Sequence, residues 1–330
     1  HGRAHSIRAS SPGRGTRRGM KGVALLFPGQ GSQYVGMGRD LADAHPGVAE
    51  LYREADEILG IPLSRLSWEG PEEDLTATEN AQPAILLHSY ATWTVIREAI
   101  PVVAAAAGHS LGEFSAHLVA GTFGFEDALR IVRRRGELMA ASGSTRPGTM
   151  AAVMGLEREA IDRVCEEVRE GVVVAANLNA PGQIVISGDR AAVKAASERA
   201  SEAGARRVLP LNVSGAFHSP LMEVAADGLG EALDAARLAD PSFPVVANAS
   251  AEPVTTADDA RTTLLAQLTS PVRWIECMER IASHEPTRWI EVGPGRVLTG
   301  LLRRIDRDAA GLAIGDPASA ASFLGENGRS

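Results

Sequence analysis

The stretch Val-Val-Ala-Ala-Ala-Ala-Gly-His-Ser-Leu-Gly-Glu-Phe-Ser-Ala-His-Leu at residues 102–118 decides the fold class of this chain. Its apolar first part predicts a buried strand, and the residues after Gly112 predict the start of a helix. A strand, a tight glycine-flanked turn with a serine at its apex, and a helix form a nucleophile elbow, in which crowding leaves little room for Cβ atoms. We therefore predict that Ser110 is a nucleophile and that the backbone N–H of Leu111 faces a developing oxyanion. A glycine-rich turn that merely enters a helix is the alternative.

Composition bounds the class of protein. The 330 residues are 45% hydrophobic and 22% charged, which is ordinary for a globular protein of one large domain or two smaller ones. No apolar run approaches the ~20 residues that span a bilayer. Cys165 and Cys277 form neither a disulfide framework nor a metal-ligand cluster, so we expect buried apolar cysteines, no metal and a reducing cytoplasm.

The first residues differ from the rest in composition. Residues 1–20 hold five arginines and no acidic residue, and we interpret 1–19 as a disordered basic tail before Met20 as the natural start. An organelle transit peptide is the alternative. The remainder is more acidic than the whole chain, whose formal net charge is −8, and this argues against nucleic acid as a partner.

The two ends of the chain alternate strands with helices, which predicts an α/β fold with a mostly parallel sheet. Three glycine-rich loops, near residues 30, 110 and 294, each follow a predicted strand. Ligands bind at the carboxyl ends of the strands in such sheets. We therefore expect these loops to border the functional site.

The middle of the chain has a different order. The patterns predict strands over 149–155, 172–178, 183–188 and 206–212, and helices over 157–169 and from an Asp189 cap to about 204. This β-α-β-β-α-β order is that of a ferredoxin-like module. Residues 142–148 are expected to form the loop that enters it. The predicted domains are a large subdomain (20–147 and 214–318), an inserted small subdomain (148–213) and a C-terminal tail (319–330).

A serine nucleophile needs a base, and we choose it by position. His218 lies on the loop that leaves the small module, with a glycine and a proline nearby, and this loop is expected to line the cleft between the two units. His109 is expected to hold the turn. The remaining histidines after the tail lie in or beside helical stretches and are interpreted as surface or packing residues: His45, His88, His117 and His284.

Six motifs in register resemble those of one enzyme family. They are Phe-Pro-Gly-Gln-Gly-Ser-Gln at 27–33, Gly-His-Ser-Leu-Gly-Glu at 108–113, Arg-Arg-Gly at 134–136, Asn-Ala-Pro-Gly-Gln-Ile-Val-Ile-Ser-Gly at 179–188, Gly-Ala-Phe-His-Ser at 215–219 and Glu-Val-Gly-Pro-Gly at 291–295. Together they closely resemble malonyl-CoA:acyl carrier protein transacylases and the acyltransferase domains of polyketide synthases. The resemblance covers Met20 to about Ile305.

The resemblance implies an α/β-hydrolase-like large subdomain and a ping-pong acyl transfer from malonyl-CoA to the phosphopantetheine thiol of an acyl carrier protein. It implies a monomer without a cofactor, in fatty acid or polyketide synthesis; the sequence does not separate these two pathways. The implied site is Ser110 as nucleophile, His218 as base, the main-chain carbonyl of Gln267 to orient it, Gln30 and Leu111 as oxyanion hole, and Arg135, Phe217 and His109 toward the substrate. Arg135 matches the arginine that binds the acyl carboxylate through paired hydrogen bonds.

Two residues predict the size of the acyl group. Phe217 before the histidine resembles the malonyl-type pattern, whereas the methylmalonyl type carries a serine there. Leu111 agrees, since the branched-substrate type tends to have glutamine at that position. A ring packed against the α-carbon leaves no space for a methyl group. The alternative places Phe217 in the core of the subdomain interface.

Other functions remain open at this point. An acyl-serine ester is lost by hydrolysis in water. The alternative function is therefore a serine hydrolase or thioesterase that removes acyl groups from carrier proteins. A non-catalytic docking relative is a third class, disfavoured because serine, histidine and arginine all match. An acidic carrier needs a local basic patch on this acidic chain, for which Arg206-Arg207 and Arg303-Arg304 are the candidates.

Overall fold

The computed structural model describes residues 21–327, and the predicted basic tail lies outside them. The strands are β1 Val23–Phe27, β2 Val103–Gly108, β3 Gly148–Met154, β4 Val173–Ala180, β5 Gln183–Asp189, β6 Arg207–Pro210, β7 Val245–Val246, β8 Pro253–Val254, β9 Trp289–Val292 and β10 Gly311–Ile314. The helices are α1 Arg39–Ala44, α2 Pro46–Leu59, α3 Leu63–Glu69, α4 Glu72–Thr76, α5 Thr78–Ile96, α6 Leu111–Val119, α7 Phe125–Thr145, α8 Arg158–Glu167, α9 Arg190–Glu202, α10 Ala226–Ala235, α11 Ala257–Ala266, α12 Trp274–Ala282, α13 Val297–Ile305 and α14 Pro317–Asn327. Short 3-10 helices cover Arg97–Ala99 and Pro220–Ala225.

The larger sheet has six strands in the order β10-β9-β1-β2-β7-β8, and its neighbours are parallel except at β7–β8. Strands β1 and β2 are buried apolar runs, as expected where helices cover both faces of a parallel sheet. Because β9, β1 and β2 are adjacent and parallel, the three glycine-rich loops after them meet at one edge. The α/β prediction is confirmed.

The second sheet is antiparallel, with strands in the order β4-β5-β3-β6. Helices α8 and α9 pack against it around a separate apolar cluster. The chain order β-α-β-β-α-β and this strand order are those of a ferredoxin-like module. Residues 148–213 contain all four strands, while the domain boundaries themselves stay a prediction.

Helix α5 lies at the centre of the largest apolar cluster and packs against α7. It is buried on nearly every side, which accounts for its lack of a polar face. This packing places α7 beside the elbow, because α6 also packs against α5. The consecutive helices α6 and α7 are thereby both held against α5, beside the sheet.

Two local predictions are wrong, and a third segment has more regular structure than its composition indicated. Residues 142–145 are not a loop but the last turn of α7. Asp189 occupies the first position before α9 without capping it, since its carboxylate accepts hydrogen bonds from the Val172 N–H (2.8 Å) and from Arg146. The predicted tail from 319 is largely helix α14, whose Phe323 is buried in an apolar cluster.

Candidate active site

The turn between β2 and α6 has the geometry of a nucleophile elbow. Ser110 lies between these elements with φ 50° and ψ −105°, a backbone conformation that is strained for a residue with a side chain. A Cβ atom on Gly108 would lie 1.8 Å from the carbonyl carbon of Gly112, and one on Gly112 would lie 2.0 Å from the Phe27 oxygen. Glycine is therefore required at both positions, and the turn presents the serine hydroxyl at the edge of the sheet.

Ser110 and His218 are brought together across 108 residues of sequence. The Ser110 hydroxyl lies 2.7 Å from His218 Nε2, and His218 Nδ1 lies 2.9 Å from the main-chain oxygen of Gln267. Since a carbonyl only accepts, Nδ1 carries the proton and Nε2 is left as the acceptor for the hydroxyl. Burial lowers the pKa of His218 to about 3, and the charge of Arg135 adds to this effect. The imidazole is thus a neutral base at physiological pH.

Arg135 lies in the same site from helix α7. Only 1% of its surface is exposed. Its guanidinium donates to the side-chain oxygen of Gln82 (2.8 Å), to that of Gln267 (2.9 Å) and to the Ser110 hydroxyl (3.1 Å). Its Nε has no partner among the described residues. Burial lowers the pKa of Arg135 to about 10, so the group stays cationic at neutral pH.

The neighbouring arginines behave differently. Arg133 and Arg134 pair with Glu137 on the same helix at partly exposed positions. Arg135 is the buried member of the run, and within residues 21–327 it has no direct carboxylate partner. A desolvated cation that keeps free hydrogen-bonding capacity beside a serine hydroxyl is suited to binding an anionic group.

A cavity of about 280 Å³ opens above the dyad. Its walls include Ser110, His218, Arg135 and both proposed oxyanion-hole residues, Gln30 and Leu111. Within the described part of the chain, neither backbone N–H of these last two residues donates a hydrogen bond. Both amides are consequently available to an oxygen atom beside Ser110.

His109 and Phe217 also line this cavity. His109 Nε2 lies 2.7 Å from the side-chain oxygen of Asn179, and its ring packs on Trp274 with centroids 5.4 Å apart. Phe217 is 6% exposed and belongs at once to the cavity wall and to the main apolar cluster. The structure therefore supports both interpretations of this ring, as a wall of the acyl pocket and as core.

The acyl transferase domain model matches residues 24–322. The chain belongs to this family. It is 46% identical over 300 residues to the malonyl CoA-acyl carrier protein transacylase of Bacillus subtilis, covering 90% of this chain and 95% of the relative. The Escherichia coli K12 protein of the same name is 42% identical over 307 residues, covering 92% and 99%. The relationship to the transacylases predicted from the motifs is confirmed.

Solved structures of the family agree with the fold. A malonyl-transacylase bound to its type II polyketide synthase acyl carrier protein superposes with a TM-score of 0.89 at 42% identity, covering 92% of this chain and 99% of that one. An acyl carrier protein S-malonyltransferase from Vibrio cholerae gives 0.87 at 43% identity, covering 91% and 99%.

The sequence did not predict the network of hydrogen bonds beneath the elbow of this chain. Asn248 accepts a hydrogen bond from the Ser110 N–H (2.7 Å) and donates one to the Gly108 oxygen (2.8 Å). Glu113, fully buried, accepts from the Asn248 N–H (3.0 Å) and from the Gln267 side chain (2.6 Å). A signal for Asn248 existed, since it follows an apolar run that ends at the same sheet edge. Nothing local marked the Gln267 side chain.

Two further findings describe the surroundings. Within residues 21–327, no group of three or more histidine, cysteine or acidic side chains is arranged to hold a metal ion. Across the same residues, none of the helices combines the length and the apolar character needed to cross a membrane.

Proposed function

We propose that this chain transfers a malonyl group from malonyl-CoA to the phosphopantetheine thiol of an acyl carrier protein. The observation that carries the proposal is the buried Arg135 guanidinium 3.1 Å from the hydroxyl of a Ser–His dyad. In a malonyl thioester one methylene separates the carboxylate from the reacting carbonyl, so a cation this close to the nucleophile fits that spacing. Both relatives named above are transacylases, and this supports transfer over the hydrolase alternative.

In the first half-reaction His218 Nε2 takes the hydroxyl proton as Ser110 Oγ attacks the thioester carbon. The backbone amides of Gln30 and Leu111 stabilise the tetrahedral oxyanion. When the intermediate collapses, the C–S bond breaks and the leaving CoA thiolate takes the proton from His218. A malonyl ester on Ser110 remains, with its carboxylate held by Arg135.

The second half-reaction runs the same steps with the carrier thiol. Its proton passes to His218 as the sulfur attacks the ester carbon, and the oxyanion occupies the same two amides. Collapse breaks the C–O bond, and Ser110 recovers its proton from His218. The histidine begins and ends each half-reaction neutral, as its low pKa requires.

Substrate size gives the first test of the pocket. Phe217 in the cavity wall is expected to exclude an α-methyl group, because one methyl in a tight pocket changes kcat/KM by roughly 10- to 200-fold. We predict that the enzyme prefers malonyl-CoA over methylmalonyl-CoA by that factor, and that Phe217→Ser narrows the gap. Competition between the two CoA esters measures it.

The matched control is Val224→Ser, a few residues further along at a position that is 64% exposed, which should leave the ratio unchanged. Equal use of both esters by the unsubstituted enzyme would contradict a steric role for Phe217.

Carrier docking is assigned to the arginines around the β4–β5 turn. Arg303, Arg304 and Arg307 line a groove of about 600 Å³ together with Pro181 of this turn. Arg206 is also close to the β4–β5 turn. Its side chain packs against Gly155, and the Gly155 N–H donates to the oxygen of Gly182 in this turn (2.8 Å).

The positive charge of this surface is available to a partner. We define the arginine patch as Arg206, Arg207, Arg303, Arg304 and Arg307. All five are exposed, and none forms an ion pair with another described residue. Strand β4 links the patch to the site, because Asn179, just before the turn, contacts His109. An acidic carrier docked here lies next to the elbow.

Charge reversal tests the patch. The double variant Arg303→Glu/Arg304→Glu should raise KM for the carrier about tenfold or more, with the effect weakening as salt is added. Transfer to free pantetheine should be unchanged, because the dyad is untouched. Arg65→Glu, on an exposed arginine of α3, is the control. An unchanged carrier KM in the double variant would place docking elsewhere.

A further inference from the structure

Glu113 is a buried acid that the transfer mechanism does not use. It lies in the first turn of α6 and is fully buried. Its Oε2 accepts from the Gln267 amide nitrogen (2.6 Å) and from the Asn248 N–H (3.0 Å), whereas Oε1 has no partner among the described residues. A half-satisfied carboxylate in a dry interior is costly and needs a nearby positive charge.

That charge is Arg135, which is linked to Glu113 through one side chain. The Gln267 side-chain nitrogen donates to Glu113 and to the main-chain oxygen of Ser110 (3.0 Å). The Gln267 side-chain oxygen therefore faces the guanidinium of Arg135, which donates to it at 2.9 Å. The acid and the base are thus held one amide apart. They balance each other without the direct ion pair that would occupy the guanidinium.

Charge balance changes when an anion enters. Above the pKa of Glu113, which is about 7, Arg135 and Glu113 supply one cation and one anion, and a carboxylate on Arg135 adds a second negative charge to a dry region. We propose that Glu113 is a positioning counter-charge that takes up a proton when a carboxylate-bearing acyl group binds Arg135. This inference rests on the proposed function, because it requires that a carboxylate binds there.

The electrostatic surroundings indicate that Glu113 is the group that takes up a proton when a second anion binds. Burial raises the pKa of Glu113 to about 7, so it is poised near physiological pH, and a second anion raises it further. Apart from the cationic Arg135, the other titratable groups around it stay neutral. Burial raises the Cys277 pKa well above its usual value and lowers the pKa of the three nearby histidines, namely His109, His117 and His218.

The sign of the pH dependence follows. Below the free pKa of about 7, Glu113 is protonated with or without substrate, and binding is independent of pH. Above it, binding must draw a proton from solution, so the affinity for malonyl-CoA falls as pH rises, by up to about tenfold per unit. Acetyl-CoA has no carboxylate and should show no such fall.

Calorimetry on the Ser110→Ala variant tests the inference, since this chain binds without reacting. Titrations at pH 7.5 in buffers of different ionisation enthalpy give the protons taken up. We expect the binding of malonyl-CoA to be accompanied by the uptake of at least about half a proton more than the binding of acetyl-CoA. The comparison with acetyl-CoA corrects for the phosphates, which both esters carry. An equal uptake for the two esters overturns the inference but leaves the proposed function intact. A failure of malonyl-CoA to bind overturns both.

The variant Glu113→Gln, added to Ser110→Ala, separates charge from structure. It keeps the shape of the side chain and its acceptor oxygen. Malonyl-CoA affinity should become flat between pH 7 and 9 and exceed that of the Glu113 chain at pH 9. An unchanged pH slope refutes the proposal. If this variant does not fold, the difference in proton uptake between the two esters in the Glu113 chain decides alone.

Discussion

Ser110→Ala is expected to abolish the malonyl mass increment that the unsubstituted chain gains from malonyl-CoA. The reason is that the hydroxyl at the apex of the elbow, 2.7 Å from His218 Nε2, forms the acyl ester in the first half-reaction, and the carrier thiol cleaves this ester in the second. Intact-protein mass spectrometry across a panel of acyl-CoAs makes the measurement. Ser144→Ala, at an exposed position on α7, is the control and should acylate normally.

His218→Ala in the same assay should lower transfer by several orders of magnitude while the fold is retained, because the hydroxyl loses its proton acceptor. His284→Ala, at an exposed position, is the matched control. Acylation at full rate in Ser110→Ala would remove the whole mechanism. Rapid steady-state release of free malonate without a carrier would instead favour the hydrolase.

The second large effect is expected at Arg135. Arg135→Ala should lose malonyl transfer by ~2–4 kcal/mol of transition-state stabilisation, because the substrate carboxylate then enters a dry cavity without its partner. Relative activity toward acetyl-CoA should rise, since no buried guanidinium is then left unpaired by an uncharged acyl group. The ratio of kcat/KM for the two esters is the quantity to measure.

Arg134→Ala on the same helix is the control, because that side chain is half exposed and reaches Glu137 rather than the site. Its malonyl-to-acetyl ratio should match that of the unsubstituted enzyme. A preference for malonyl that survives in Arg135→Ala means that this guanidinium does not bind the carboxylate.

Features that depend on neighbouring residues could be predicted from the sequence. The elbow is one, because its motif is short and the close contact that demands glycine at 108 is with Gly112, although glycine at 112 is demanded by Phe27 of the neighbouring strand. The order of strands and helices in the small module is another, since alternation and spacing are local properties. The choice of His218 over the other histidines needed only its position on a loop between two units. The assignment of Arg135 needed the resemblance, because three adjacent arginines look alike.

Predictions from local composition were wrong where contacts with residues distant in the sequence determine the structure. Residues 142–145 are rich in small polar residues and were expected to form a loop, yet they continue α7. A Cβ on Gly143 would lie 1.8 Å from the Ser214 oxygen, so glycine is needed here for close approach rather than for a turn. Asp189 likewise serves a strand neighbour and Arg146 instead of its own helix.

The sequence by itself determined the α/β class, the elbow and the family, because these are carried by short motifs and by the order of elements. Only the tertiary structure decided which arginine is buried and which acid balances it. Glu113 and Gln267 are 154 residues apart and meet because α11, which ends just before Gln267, packs against α6. Burial and charge balance depend on every element that surrounds a group, and no local pattern contains that information.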